Sequence, residues 1–448
     1  MVTTRARAPR ATDPQADPGL EPGSAAAPPR AGHPRRTAGF AVILVSLVLV
    51  CWPGATLWMV LAAGAVALSV GLPLTVADSP GLARRLVPVA VIVLSLLSGW
   101  AAYARANGSG SIRDRSHDGG VIVTRAAADD LAHLRNPYTA DFTGDLPRSW
   151  LLVEGNDGAK VANPVAHHFP YLPAAALVHT PFVAGANAVG LGWDTRILGW
   201  LVLVGALVAL ARRPEPAWLR LGAICGLGGP FTLVYLSWGT NDLMAVALAV
   251  LALCWADRRP RLAGFTLALA LSVKVLLAVL IPPLAVVVVL TGGWAALRRW
   301  WTLPATLLVT CLPFLAASPS AFLDDTVWFN LGRSKPLMPT SGIGLPATSP
   351  GLFHGPLLGL LTVLGLVLAL VLPILAVRRW PSVWTAGASA GVGLLCVLVP
   401  ARTFQTNYLV LVASLLPLAW LALAAAGADG PPGASDQAGI EPAATASA

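Results

Sequence analysis

Apolar runs long enough to cross a lipid bilayer recur along this chain from Ala38 to Ala426. Inside hydrocarbon, backbone N–H and C=O groups must be satisfied within the protein, so only helices and closed barrels span. The runs are continuous and do not alternate in polarity, which excludes a barrel. A helical crossing takes about 20 apolar residues. The chain is 448 residues long, 56% hydrophobic and 11% charged, whereas soluble domains carry about a quarter charged residues. These features predict an all-α polytopic membrane protein with roughly 11–13 membrane segments and a long first outer loop.

Apolar segments lie at 38–53, 55–76, 86–103, 170–190, 196–211, 218–236, 242–256, 262–290, 302–317, 356–377, 382–400 and 404–426. Pro53-Gly54 reads as a tight turn between the first two. Residues 1–37 are rich in Pro, Ala and Arg and read as a disordered cytoplasmic segment, with no removed signal peptide. The membrane domain covers 38–426, and 427–448 reads as a second disordered tail. Arginines before the first span favour an inside N-terminus, so three crossings put residues 104–169 outside. Basic groups at 212–213, 258–261, 298–299 and 378–379 then face the cytoplasm. That register is strained twice. Segment 170–190 must dip in and return, breaking near His179-Thr180-Pro181, and 262–290 must be two short helices meeting near Lys274.

The net charge of +9 comes from such loop pairs and does not read as nucleic-acid binding. The five cysteines all fall in apolar segments without a CxxC partner, so they read as small core residues. The sixteen tryptophans sit mostly at segment ends, as a headgroup belt requires.

The polar insert HDGGVIVTRAAADDLAHLRNPY (117–138) interrupts this pattern. Val123, Ala127, Leu131 and Leu134 recur at helical spacing, predicting a short amphipathic helix lying on the membrane surface and ended by Asn136-Pro137. Asp118 precedes it, as a helix cap or as a catalytic carboxylate, with Gly119 and Gly120 allowing close approach to the backbone. Asp129 and Asp130 read as its solvated face, and Asp141 and Asp145 are reserve bases. Polar groups converging on the outer side are His167, His168, Asn241, Asp242, Lys274, the 318–355 loop with Asp324, Asp325, Trp328, Arg333 and Lys335, and then Arg402, Gln405, Asn407 and Tyr408. Ionisable groups at membrane depth are costly and mark function.

An acidic first outer loop, a short helix, the Asn136-Pro137-Tyr138 turn and Tyr171-Leu172-Pro173 opening the next segment resemble the GT-C superfamily of integral-membrane glycosyltransferases. Within it the chain looks like the polyprenyl-phosphate-mannose-dependent mannosyltransferases of actinobacteria and the glycosyltransferase 87 family, over roughly residues 100–420. The chain departs from that pattern at Leu172, where the family often has Pro, at Lys274-Val275, where Lys-Pro is usual, and in its extra 38–76 hairpin. The resemblance implies transfer of a sugar, mannose foremost, from a polyprenyl-phosphate donor to a cell-envelope glycolipid or polysaccharide acceptor. Transfer would take place at the outer face of the plasma membrane. It makes Asp118 the general base, which takes the acceptor's hydroxyl proton. Lys274 and Arg402 are candidates to receive the leaving phosphate. Tyr138, His168, Tyr171, Asp242 and Tyr408 are candidate substrate contacts. His168 and Tyr171 have ordinary roles at the interface, Lys274 as a snorkelling side chain and Asp242 as a helix cap. No cofactor is called for, and no His/Asp cluster stands at metal-ligand spacing. The expected partners are the lipid-linked donor, the acceptor and membrane lipid. The alternative is a multi-pass transporter or lipid flippase of the cell envelope, which broken helices at 170–190 and 262–290 would suit.

Overall fold

The computed structural model describes residues 34–50, 56–108, 116, 120–155, 158–353 and 355–428. Asp118, His117, Gly119, Cys51 and the Pro53-Gly54 turn lie outside the described residues, as do most of the two terminal segments. The chain is a polytopic, mostly α-helical membrane protein. Six helices among the described residues are long and apolar enough to cross a membrane: Met59–Val76, Pro80–Ala106, Ala217–Ser237, Val275–Arg298, Gly355–Arg379 and Thr406–Ala425. Five shorter apolar helices accompany them: Arg196–Ala211, Asp242–Trp255, Pro260–Val273, Thr302–Ala317 and Val383–Leu398.

The helix Asp242–Trp255 is the axis of the bundle. It is apolar on every face after its first residue, and Asp242 through Cys254 are all buried. A helix of that kind can only sit inside other protein. Ala245, Ala247, Ala249 and Ala252 let its neighbours approach closely. Those neighbours are Arg196–Ala211, Pro260–Val273 and Leu409–Leu415. Pro80–Ala106 packs on the Ala217–Leu227 helix at one side, while Gly355–Arg379 and Val383–Leu398 form an antiparallel pair at another. The lipid-facing helices are recognisable by exposed Leu, Val and Ile along Pro80–Ala106 and Gly355–Arg379.

Both breaks expected inside apolar runs are present. The 170–190 run is two short helices, Ala174–Leu177 and Thr180–Ala188, separated at Val178-His179. At 1.5 Å per residue the longer covers about 14 Å, too little to span. The 262–290 run breaks at Lys274, whose extended backbone (φ −150°, ψ 103°) stops Pro260–Val273. A 3₁₀ turn (Val275–Leu280) and the helix Ile281–Arg298, kinked at Gly293 (φ 67°, ψ −176°), follow. Pro282 and Pro283 start that second helix where missing N–H groups cost nothing.

The expected surface helix needs correction. It forms over Gly120–Ala132, but Val121, Ile122, Val123, Thr124, Ala127 and Ala128 are buried inside the protein. Val121 is what fixes it. Gly239, at φ +74°, carries no side chain, and a Cβ there would collide with Val121 Cγ2. The helix docks into that gap rather than lying free on the headgroups. Asp129 accepts from Asn187 Nδ2 at 2.7 Å, and Asp130 pairs with Arg135 at 2.7 Å on the outward face.

Candidate functional site

The break at Lys274 gathers chain segments that are distant in sequence. Its ammonium lies 2.9 Å from Asp242 Oδ1. The Asp242 side chain is 2% exposed and that of Lys274 14%. Asn407 Nδ2 donates to the other carboxylate oxygen, Asp242 Oδ2, at 2.6 Å. Lys274 Nζ also stands 4.1 Å from the centroid of the Tyr408 ring, a cation–π contact. Asp242 opens the central helix, where the partial positive charge of the helix N-terminus favours a carboxylate. Since a carboxylate only accepts, Asn407 must present its amide nitrogen to Asp242. That leaves Asn407 Oδ1 buried with no hydrogen-bond partner among the described residues.

Two loop segments converge on this centre. Leu172 N–H donates to Ser272 O at 3.0 Å, which seats Tyr171-Leu172-Pro173 against the broken helix end. Tyr171 lies within electrostatic reach of Lys274. Tyr138 Oη donates to Tyr171 O at 2.8 Å, and its ring meets Phe169, Phe314 and Phe322 edge-on. Burial holds the Tyr138 phenol far above its ordinary pKa, so it stays a proton donor. From the other side, Asn241 Nδ2 donates to Thr124 Oγ1 at 2.8 Å, tying the Gly120–Ala132 helix to the residue beside Asp242.

His168 belongs to a second cluster. Its Nδ1 lies 2.6 Å from Asp325 Oδ1 and 3.9 Å from Asp324 Oδ2. Phe169 N–H donates to Asp325 Oδ2 at 2.8 Å, and His168 Nε2 faces the Lys335 carbonyl at 3.2 Å. Desolvation alone would lower the His168 pKa, but the bond to Asp325 and that carboxylate's charge outweigh it and hold the imidazole above its usual range. Desolvation, not the partner, dominates at Asp325, whose carboxyl is pushed up. One proton bridges His168 Nδ1 and Asp325 Oδ1, and both ring nitrogens face acceptors. This cluster clasps the helical turn Asp324–Trp328 and the stretch that follows it to Lys335 onto the start of Phe169-Pro170-Tyr171.

Of the residues singled out in the sequence, Tyr171, Asp242, Lys274 and Tyr408 come together, and Tyr138 is one hydrogen bond away. His168 stands in the Asp325 clasp. Arg402 packs on the 332–338 loop, donating from Nη2 to Met338 O at 3.4 Å, beside the parallel pairing of Ser341-Gly342 with Thr403-Phe404. Lys274 does not snorkel: it is committed to Asp242. Asn407 and Asp325 stood among the polar groups of the outer side, but their pairings with Asp242 and His168 were invisible in the sequence. Asn407 had only its place beside Tyr408 as a signal, and Asp325 is 157 residues from His168. The four described cysteines are free and lie in or beside the apolar helices. No protein-family model matches this chain, and neither the curated proteins nor the solved structures compared with it give a match.

Proposed function

We propose that this protein transfers a sugar, mannose foremost, from a polyprenyl-phosphate donor to a hydroxyl of a cell-envelope glycolipid or polysaccharide at the outer face of the plasma membrane. The observation that carries this reading is the buried cation Lys274, held between Asp242 and Tyr408 where the 120–173 segment meets the bundle. A buried cation at a helix break, reached by loop segments, suits the arrival of an anionic leaving group. In the proposed step the acceptor oxygen loses its proton to Asp118 and bonds to the anomeric carbon. The carbon–oxygen bond to the lipid phosphate breaks, and the phosphate leaves as an anion. Lys274 receives that anion by giving up part of its contact with Asp242, and Arg402, which packs on the 332–338 loop, is the second candidate to meet it. A single displacement of this kind inverts the anomeric configuration.

Asn407 Oδ1, a buried acceptor without a donor among the described residues, suits a substrate hydroxyl. Asp118→Asn is expected to leave the protein inserted and folded while abolishing turnover, and near-normal turnover by the purified variant would remove the base assignment. One observation favours a second reading, a transporter: a charge pair at a broken helix is a common transport device. Accumulation of a substrate in sealed vesicles without covalent transfer would select it.

A further inference from the structure

We propose that His168, Asp325 and Asp324 form a binding site for one divalent first-row cation. The proposal is independent of the transferase reading, because it rests on a different cluster and is tested by ion binding. One ligand atom from each side chain, an imidazole nitrogen and two carboxylate oxygens, lies within 4.8 Å of the others. That donor set suits manganese, iron or zinc. Each ligand's remaining polar atom is held from outside the cluster. His168 Nε2 faces Lys335 O at 3.2 Å, Phe169 N–H donates to Asp325 Oδ2 at 2.8 Å, and Ser334 Oγ donates to Asp324 Oδ1 at 2.8 Å. Such outer contacts are what orient metal ligands and fix the histidine tautomer.

The consequence is a conflict among acceptors. With its Nε2 hydrogen on the Lys335 carbonyl, a neutral His168 presents a bare Nδ1 lone pair to Asp325 Oδ1 at 2.6 Å and Asp324 Oδ2 at 3.9 Å. A positive species must stand between them. A proton on Nδ1 answers only Asp325, since Asp324 Oδ2 is beyond hydrogen-bond reach. It also leaves the cluster at one net negative charge, one imidazolium against two carboxylates, with His168 5% and Asp325 4% exposed. A divalent cation answers all three atoms and brings the net charge to zero. Ligand atoms about 2.1 Å from one ion stand about 3 Å apart, so loading widens the His168–Asp325 contact by a few tenths of an ångström. Asp324, 42% exposed, opens the cluster to solvent and leaves room for water on the ion. Loading releases the Nδ1 proton and fastens the 324–335 segment to residues 168–169 more firmly than the proton does.

The test uses the full-length protein, purified in detergent and stripped with EDTA. Mn²⁺ is titrated and free Mn²⁺ is read by electron paramagnetic resonance, with Zn²⁺ competing. The expected result is one ion per chain, a rise in melting temperature on loading, and affinity at least tenfold weaker in His168→Gln and Asp325→Asn. Asp324→Asn decides the matter. Its carboxamide oxygen still accepts from Ser334, and it leaves the His168–Asp325 pair intact, so the protein stays folded while Mn²⁺ affinity falls tenfold or more. Absence of stoichiometric Mn²⁺ or Zn²⁺ binding, or equal affinity in wild type and Asp324→Asn, overturns the proposal and leaves the cluster a proton-bridged clasp.

Discussion

Replacing Lys274 with Met removes a charge while nearly preserving volume, so the consequence is electrostatic rather than a cavity. The stranded partner is Asp242, 2% exposed and at the start of the central helix. Losing one member of a buried pair costs about 3–5 kcal/mol, because the remaining charge has no counterion and little water. Asn407 still donates to Asp242 Oδ2, and the helix N-terminus still favours the carboxylate, so the lower part of that range is expected. Asp242→Asn alone strands Lys274, which is more exposed and so loses less. The double variant Lys274→Met/Asp242→Asn removes both charges and keeps an acceptor for Asn407. It should recover most of the loss, giving a coupling of about 2 kcal/mol or more between the sites. Reversible unfolding in mixed micelles, followed by tryptophan fluorescence, measures the cycle. A Lys274→Met loss below about 1 kcal/mol, or single losses that simply add, would refute a buried mutual pair.

Gly239→Ala should dislodge the Gly120–Ala132 helix, since the new Cβ strikes Val121 and the backbone sits at φ +74°; faster protease cleavage within 104–135, with the rest of the chain intact, is the expected readout. His179 is buried and accepts from Trp193 Nε1 at 3.2 Å; His179→Leu removes that acceptor and should cost about 1–3 kcal/mol, and a cost near zero by unfolding in mixed micelles would contradict it. Tyr138→Phe removes the donor to Tyr171 O and should cost about 1–3 kcal/mol, because that carbonyl is left without its partner; a cost near zero in the same micelle assay would mean that the bond adds nothing.

Much of the fold was legible because lipid imposes it. Continuous apolar runs mark the long helices, and the lone lysine within 262–290 marked the break that occurs at Lys274. Its backbone geometry there follows from no local signal, since Val275 stands where a proline would have announced it. The Gly120–Ala132 helix was legible as a helix and misassigned in its environment. Periodicity finds an apolar face but not what covers it, and the covering depends on Gly239 more than a hundred residues on. The candidate site was half legible. Asp242, Lys274, Tyr171 and Tyr408 stood out as polar groups at membrane depth, while the pairing of Asn407 with Asp242 and of Asp325 with His168 arises only from helix packing.

The proposed covalent sugar transfer is tested most directly by incubating the purified, reconstituted protein with radiolabelled polyprenyl-phosphate-mannose and a membrane extract as acceptor. The expected result is label in a new glycolipid or polysaccharide, with inverted anomeric configuration, and none with Asp118→Asn. Label that remains wholly on the polyprenyl phosphate, while the protein moves the intact donor or another solute across the bilayer, would contradict it.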